Sequence, residues 1–188
     1  VEVDALLASL DTRITALEQE VSPAVGDFYG GGVVFYIFVN GDTGYVAGET
    51  HGLIAAVEDQ SADIRWHNGS SVTTGATATD LGTGSANTDA IILVQGETET
   101  SYAAGLARAY TGGGYTDWFL PSKDELNQLY INKTTLEAVS GFTAFNNSYY
   151  WSSTEYSNQD AWIQQFGGGL QTVNGKIVNY VVRAVRAF

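Results

Sequence analysis

The tightest constraint on this chain lies in residues 1–21. Val3, Leu7, Leu10, Ile14, Leu17 and Val21 recur at alternating intervals of four and three residues. A mean spacing of about 3.5 residues aligns all six on one helical seam, and burying that seam along its length requires a left-handed supercoil. Leu7, Ile14 and Val21 take heptad position a; Val3, Leu10 and Leu17 take d. Arg13 falls at g and Glu18 at the following e, the placement for an ion pair between chains of a parallel coiled coil. The same spacing also suits an amphipathic helix packed on its own globule.

One further feature favours the coiled coil. Arg13-Ile14-Thr15-Ala16-Leu17-Glu18 resembles the Arg-h-x-x-h-Glu signature (h apolar) of short parallel trimeric coiled coils. That resemblance implies a homotrimer held together by Val3, Leu7, Leu10, Arg13, Ile14, Leu17, Glu18 and Val21. Ser22-Pro23 then closes the helical register, because proline pushes the residue before it toward an extended conformation. The expected organisation is a stalk over 1–22, a linker over 23–26 and a head over 27–188. The absence of an initiating methionine suggests a processed product or the end of a longer chain, as the tip of a fibre would be.

Composition narrows the partners. Apolar residues make up 44% of the chain and there are 22 glycines, which fits a loop-rich globular head. A net charge of −13 with only eight Lys and Arg repels nucleic acid, anionic membranes and sulfated polysaccharides. Cysteine is absent, so disulfides and thiolate chemistry are excluded. No apolar run is long enough to span a bilayer, so membrane insertion is not expected.

Along the head, Val33 to Phe38 reads as a buried strand behind the cluster Gly30-Gly31-Gly32. Asn40 to Gly44 is a turn, and Tyr45 to Ala47 and Gly52 to Val57 suggest further short strands. Gln60 to Gly84 reads as a long polar loop pinned by Trp66. A helix from Asp89 to about Gln95, capped by Asn87 or Thr88, precedes a second from about Thr100 to Tyr110, which Gly112-Gly113-Gly114 stops. Ser122 and Glu125 form a capping box for a helix ending near Asn132, with a short helix over Thr134 to Ala138. The last third is β-like: Tyr149 to Ser153, Ala161 to Phe166, Leu170 to Val173 and Tyr180 to Phe188. Hairpin turns are expected at Gly167-Gly168-Gly169 and Asn174-Gly175.

Several of these blocks lie in a familiar order. They are Gly31 to Tyr36, His51 to Ala56, Gly114 to Leu126 (Gly-Tyr-Thr-Asp-Trp-Phe-Leu-Pro-Ser-Lys-Asp-Glu-Leu), Tyr150 to Glu155, and Val182 to Phe188. Together they resemble the C-terminal domain of Legionella-type collagen-like adhesins and its bacterial surface and phage relatives. The resemblance implies an α+β head of the C-type lectin-like kind on a short parallel trimeric coiled coil. It also implies an extracellular place on a virion or bacterial surface, joined to upstream fibre or virion proteins. The chain departs from the relatives in three ways. The helix before the Gly-Tyr-Thr-Asp-Trp block lacks the cysteine they often carry. The acidic balance disfavours sulfated glycans. Glu-Pro-Asn and Trp-Asn-Asp sugar signatures are missing.

The candidate sites are few. His51, at a strand start, reads as structural, and His67 as a satisfied surface histidine. No Gly-x-Ser-x-Gly elbow is present, and no catalytic residue is assigned. Asp117 is expected to pair with Arg183 or Arg186, since a buried guanidinium demands a partner; Glu125 and Ser122 serve the cap, and Trp66 and Trp118 the core. Asn40, Asp42 and the Thr73–Asp89 loop carry oxygens that would suit calcium; no twelve-residue calcium loop is present, so no cofactor is expected, with calcium the one alternative left open. The aromatic and amide cluster Tyr149, Trp151, Asn158, Gln159, Trp162 and Gln164 is the candidate ligand surface, for a cell-surface glycan or protein. Strand alternation requires about half of it to point inward, Trp151 and Trp162 first, with Tyr149, Asn158, Gln159 and Gln164 facing out. The functional expectation is an adhesion head; the alternative is a fibre cap with no ligand.

Overall fold

The computed structural model describes residues 3–7, 22–96 and 101–188. Residues 3–7 are helical, and Val3 and Leu7 there are 70% and 61% exposed. The other proposed seam residues, Leu10, Arg13, Ile14, Leu17, Glu18 and Val21, lie outside the described residues.

From residue 22 onward the described residues are mixed α+β, with two sheets and a few short helices. The first sheet contains β1 (Phe28–Tyr29), β2 (Gly32–Ile37), β3 (Gly52–Ala55) and β9 (Val185–Ala187), in the order β1-β2-β3-β9. The second contains β4 (Ser61–Arg65), β5 (Tyr149–Glu155), β6 (Asp160–Gln165), β7 (Gln171–Gly175) and β8 (Asn179–Val182), in the order β4-β8-β5-β6-β7. All pairings are antiparallel except β5 with β8, which touch in parallel at Tyr150 and Val181. The helices are α1 (Gly84–Gln95), α2 (Ala103–Ala109), α3 (Lys123–Ile131) and α4 (Lys133–Glu137), with a 3-10 turn at Gly112–Gly114.

Alternation in β5 and β6 creates two cores. Tyr150 and Gln164 pair across the strands and share the face covered by α3, where Leu126, Leu129, Phe145 and Phe166 pack. Trp151 and Ile163 share the opposite face with Ile91 of α1, Ala103 and Ala107 of α2, and Trp66. Burying such side chains contributes roughly 1.5–3 kcal/mol each, so the second sheet is anchored from both sides. The α3 cap forms from its sequence signal: Glu125 N donates to Ser122 Oγ at 3.2 Å, and Ser122 N to a Glu125 carboxylate oxygen at 2.7 Å.

Several local expectations are corrected. Residues 61–65 form a strand rather than part of a polar loop, because β8 offers them a ladder. Tyr45 to Ala47 is not a strand; turns at Asp42 and Val46 hold that segment. The helix expected from Asp89 begins at Gly84, and Asn87 sits inside it, buried, with its amide on Ala78 O and its Oδ1 accepting from Ala78 N. The expected Tyr180–Phe188 strand is two strands, β8 and β9, which cross from one sheet to the other at Arg183-Ala184. Gly167 to Gly169 turns the β6–β7 hairpin, but Asn174-Gly175 ends β7 without a hairpin, because β8 pairs with β4 and β5 instead. The Gly30–Gly32 and Gly112–Gly114 clusters pack backbone to backbone. A Cβ on Gly113, which has φ 66°, would stand 2.3 Å from Gly31 Cα.

Candidate recognition surface

The expected ligand cluster divides between interior and surface. Trp151 is fully buried, its indole N–H donating to Ile64 O at 2.9 Å, and packs edge-on to Tyr180. Gln164 is also fully buried, which corrects its expected exposure. It faces α3, its amide donates to Gly169 O at 2.8 Å, and its Oε1 has no partner among the described residues. Neither side chain reaches a ligand. Tyr149 is half-buried against the Tyr180 ring. Asn158 and Gln159 are exposed, at the turn joining β5 to β6.

Trp162 is partly buried on the face shared with Gln164, near the end of the sheet that this turn closes. Tyr156, 61% exposed, stands edge-on to it with ring centres 5.9 Å apart. Lys123, in the first turn of α3, places its ammonium 4.8 Å from the Trp162 ring centre. Val173 of edge strand β7 lies opposite Trp162 in register. Two aromatic rings and one cation therefore meet next to the turn that carries the exposed Asn158 and Gln159. Nothing in the spacing of Lys123 links it to Trp162 in sequence.

The turn rests on a buried ion pair. Lys176 is fully buried; its ammonium donates to a Glu155 oxygen at 2.5 Å, to Val72 O at 3.1 Å and to Asn158 O at 3.2 Å. It also lies 4.4 Å over the Trp66 ring. Glu155 accepts in addition from the amides of Thr74 and Gly75. Burial pushes the Glu155 carboxyl upward, but Lys176 and these amides outweigh it and hold its pKa below the ordinary value. Every donor and acceptor of this buried pair is satisfied, the condition under which such a pair is tolerated. Within the turn, Ser157 Oγ donates to Asp160 and accepts from the Gln159 and Asp160 amides.

A second buried pair joins more distant segments. Arg183 donates through Nε to Asp59 at 2.7 Å and through its two terminal nitrogens to Ala56 O and Thr143 O. Its plane lies over Phe142 and Phe145. Asp59 also accepts from Tyr150 and Asn146. Of the two arginines proposed for Asp117, Arg186 takes it, at 2.6 Å, and stacks on Tyr115. Trp66 and Trp118 are buried, with indole N–H groups on Ser152 O and Gly112 O.

Glu125 does more than cap. Fully buried, it also accepts from the amides of Gly82 and Gly84, so it ties the start of α1 to the start of α3. A Cβ on Gly84 would stand 2.2 Å from its Oε2. Burial raises the Glu125 pKa to about 7, against the lowering effect of these amides.

Neither histidine looks like a free base. His51 lies between Glu49 at 2.8 Å and Phe188 O at 3.1 Å, and the Glu49 contact raises its pKa. His67 is buried rather than at the surface as expected; burial lowers its pKa, and its Nδ1 accepts from Gly69 N. Asp42, Asp80 and Asp124 line an open cleft with Gly41 and Thr43. Among the described residues no set of three or more His, Cys, Asp or Glu is arranged to hold a metal ion. Among the same residues, no helix is long and apolar enough to cross a membrane.

This architecture is a mixed α+β domain in which buried ion pairs fix long loops over two sheets. Residues 55–186 match the family described as the Lcl C-terminal domain, and the chain belongs to that family. Among solved structures it is similar to a fimbrial protein from Bacteroides ovatus ATCC 8483, with 20% identity and a TM-score of 0.52. The match covers 89% of this chain and 45% of that one, so the chain spans less than half of the fimbrial protein, and the likeness is one of fold. No curated protein matches the chain in sequence.

Proposed function

We propose that the protein is the recognition head of a homotrimeric fibre at a bacterial or virion surface. Its fold is read as C-type lectin-like, and its activity as non-enzymatic adhesion to a cell-surface glycan or protein. The observation that carries this reading is the outer patch of Tyr156, Trp162 and Lys123 beside the exposed amides of Asn158 and Gln159. Exposed rings stack on the apolar faces of sugars or of partner side chains, and amides satisfy the polar groups around them. Membership of the Lcl C-terminal domain family and the heptad pattern of residues 1–21 support it. Three heads on one stalk would multiply a weak contact, because each docked head raises the effective concentration of the others.

The test has two parts. Sedimentation equilibrium at micromolar concentration is expected to give three times the chain mass; a strict monomer would remove the trimer. Binding to whole cells or to an array of neutral glycans is expected to fall at least tenfold for Trp162→Ala with the fold intact. A trimer that binds no such surface favours the alternative, a structural cap that ends a fibre.

A further inference from the structure

A cavity of about 400 Å³ opens between residues 58–60 and the end of α2, lined by Glu58, Asp59, Gln60, Leu106, Ala109, Tyr110 and Thr111. That size is within the usual range for small-ligand sites, roughly 300–1,000 Å³. Most of its polar lining is already engaged. Asp59 is taken by Arg183, Tyr150 and Asn146. The Gln60 amide donates to Glu58 O and accepts from Ala184 N. Arg183 spends all its donating nitrogens on Asp59, Ala56 O and Thr143 O.

Three groups remain. The Glu58 side chain is exposed, and no described residue pairs with its carboxylate. Tyr110 and Thr111, each carrying a hydroxyl, also line the cavity. Burial first, and then the Glu58 charge, push the Tyr110 phenol upward in pKa, so it stays a neutral hydroxyl. The remaining wall is hydrocarbon, from Leu106, Ala109 and the Tyr110 ring, which Trp118 supports edge-on at 5.1 Å.

We propose that this cavity binds an alkylammonium group, the side chain of a lysine on a partner protein. An ammonium has three donors and no acceptor, and the lining residues carry an unpaired carboxylate, on Glu58, and the hydroxyls of Tyr110 and Thr111. The hydrocarbon wall suits the methylene stem behind such a head group. An anionic ligand would meet Glu58 and Asp59 with no free cation in the lining to offset them. The net charge of −13 draws cations toward the molecule from a distance. This site is separate from the Trp162 patch and does not depend on it.

Titration of the full chain with Nα-acetyl-lysine methylamide, followed by amide NMR shifts, tests the proposal. A probe of this size is expected to bind with Kd of about 1 mM. Shifts should be confined to residues 58–60 and 106–111. The uncharged norleucine analogue should bind at least tenfold more weakly, and Glu58→Gln should lose at least tenfold with an unchanged melting temperature. Ala109→Phe, which narrows the mouth without altering charge, should also abolish the shifts. Equal binding of the norleucine analogue, shifts spread over the acidic surface, an unaffected Glu58→Gln, or no shifts at concentrations well above 1 mM would each overturn it.

Discussion

The hairpin that presents Tyr156 and the segment that carries Asp59 are both built over a buried ion pair, but the pairs differ. Under the hairpin, Lys176 acts as a point charge surrounded by one carboxylate and two carbonyls, all close by. Under the 56–60 segment, Arg183 uses a planar fork to hold Ala56 and Asp59 to Thr143 and stacks on two rings. Each cation joins two stretches, Lys176 the Val72 loop to residues 155–158 and Arg183 residues 56–59 to Thr143, but the ammonium does so as a compact charge and the guanidinium as a planar fork. The outer surfaces differ accordingly. Above Lys176 the turn carries the exposed Tyr156 ring; beside Asp59 lies an acidic hollow.

The largest test of this contrast is removal of each cation. Arg183→Ala and Lys176→Met should each cost about 3–5 kcal/mol, because each strands a buried carboxylate. Denaturant unfolding measures the loss. The two should differ in range: Lys176→Met should disturb the amide signals of residues 72–75 and 155–160, and Arg183→Ala those near 56–60, 143 and 150. Disturbance of the same residues by both would erase the distinction.

Next in size is a pH effect. Glu125 has its folded pKa raised to about 7, above its unfolded value, so the native state binds the proton more tightly. Its contribution is complete below the ordinary carboxylate range and is lost as pH rises through about 7, a change on the order of 3 kcal/mol. Glu155 runs the other way: its lowered pKa gives stability that is lost on acidification. The stability of the wild type relative to Glu125→Gln should therefore shrink between pH 4.5 and 8, measured by thermal melts at each pH. A constant difference would remove Glu125 as the titrating group.

Smaller effects fall on the outer patch. Trp162→Ala should cost about 1–2 kcal/mol, less than a fully buried tryptophan, while reducing surface binding. Tyr156→Ala should change stability by no more than about 0.5 kcal/mol and still weaken binding. A stability loss for Tyr156→Ala as large as that for Lys176→Met would mean that the ring is structural.

How much of this was legible in the sequence depends on the range of the interaction. The Ser122–Glu125 cap is a three-residue signal and reads directly. That Arg183 and Arg186 need partners was also legible, because a buried guanidinium demands one, but Asp59 lies 124 residues from Arg183 and no spacing points to it. Strand β4 looks like loop from its residues because Ser61–Arg65 carries little β-propensity of its own; its ladder with β8 supplies what the sequence lacks. The error over Gln164 has a similar origin. Amides are usually exposed, and alternation along β6 gives a face but not what covers it. The α3 packing decides that, and the Lys123–Trp162 contact depends on the same packing.

The passage of residues 179–187 from the second sheet to the first has a consequence during synthesis. Strand β8 fills the gap between β4 and β5, and β9 completes the edge beside β3, so both sheets wait for the final stretch of this unit to leave the ribosome. A nascent domain would stay open at its centre until then and close both halves in one late event.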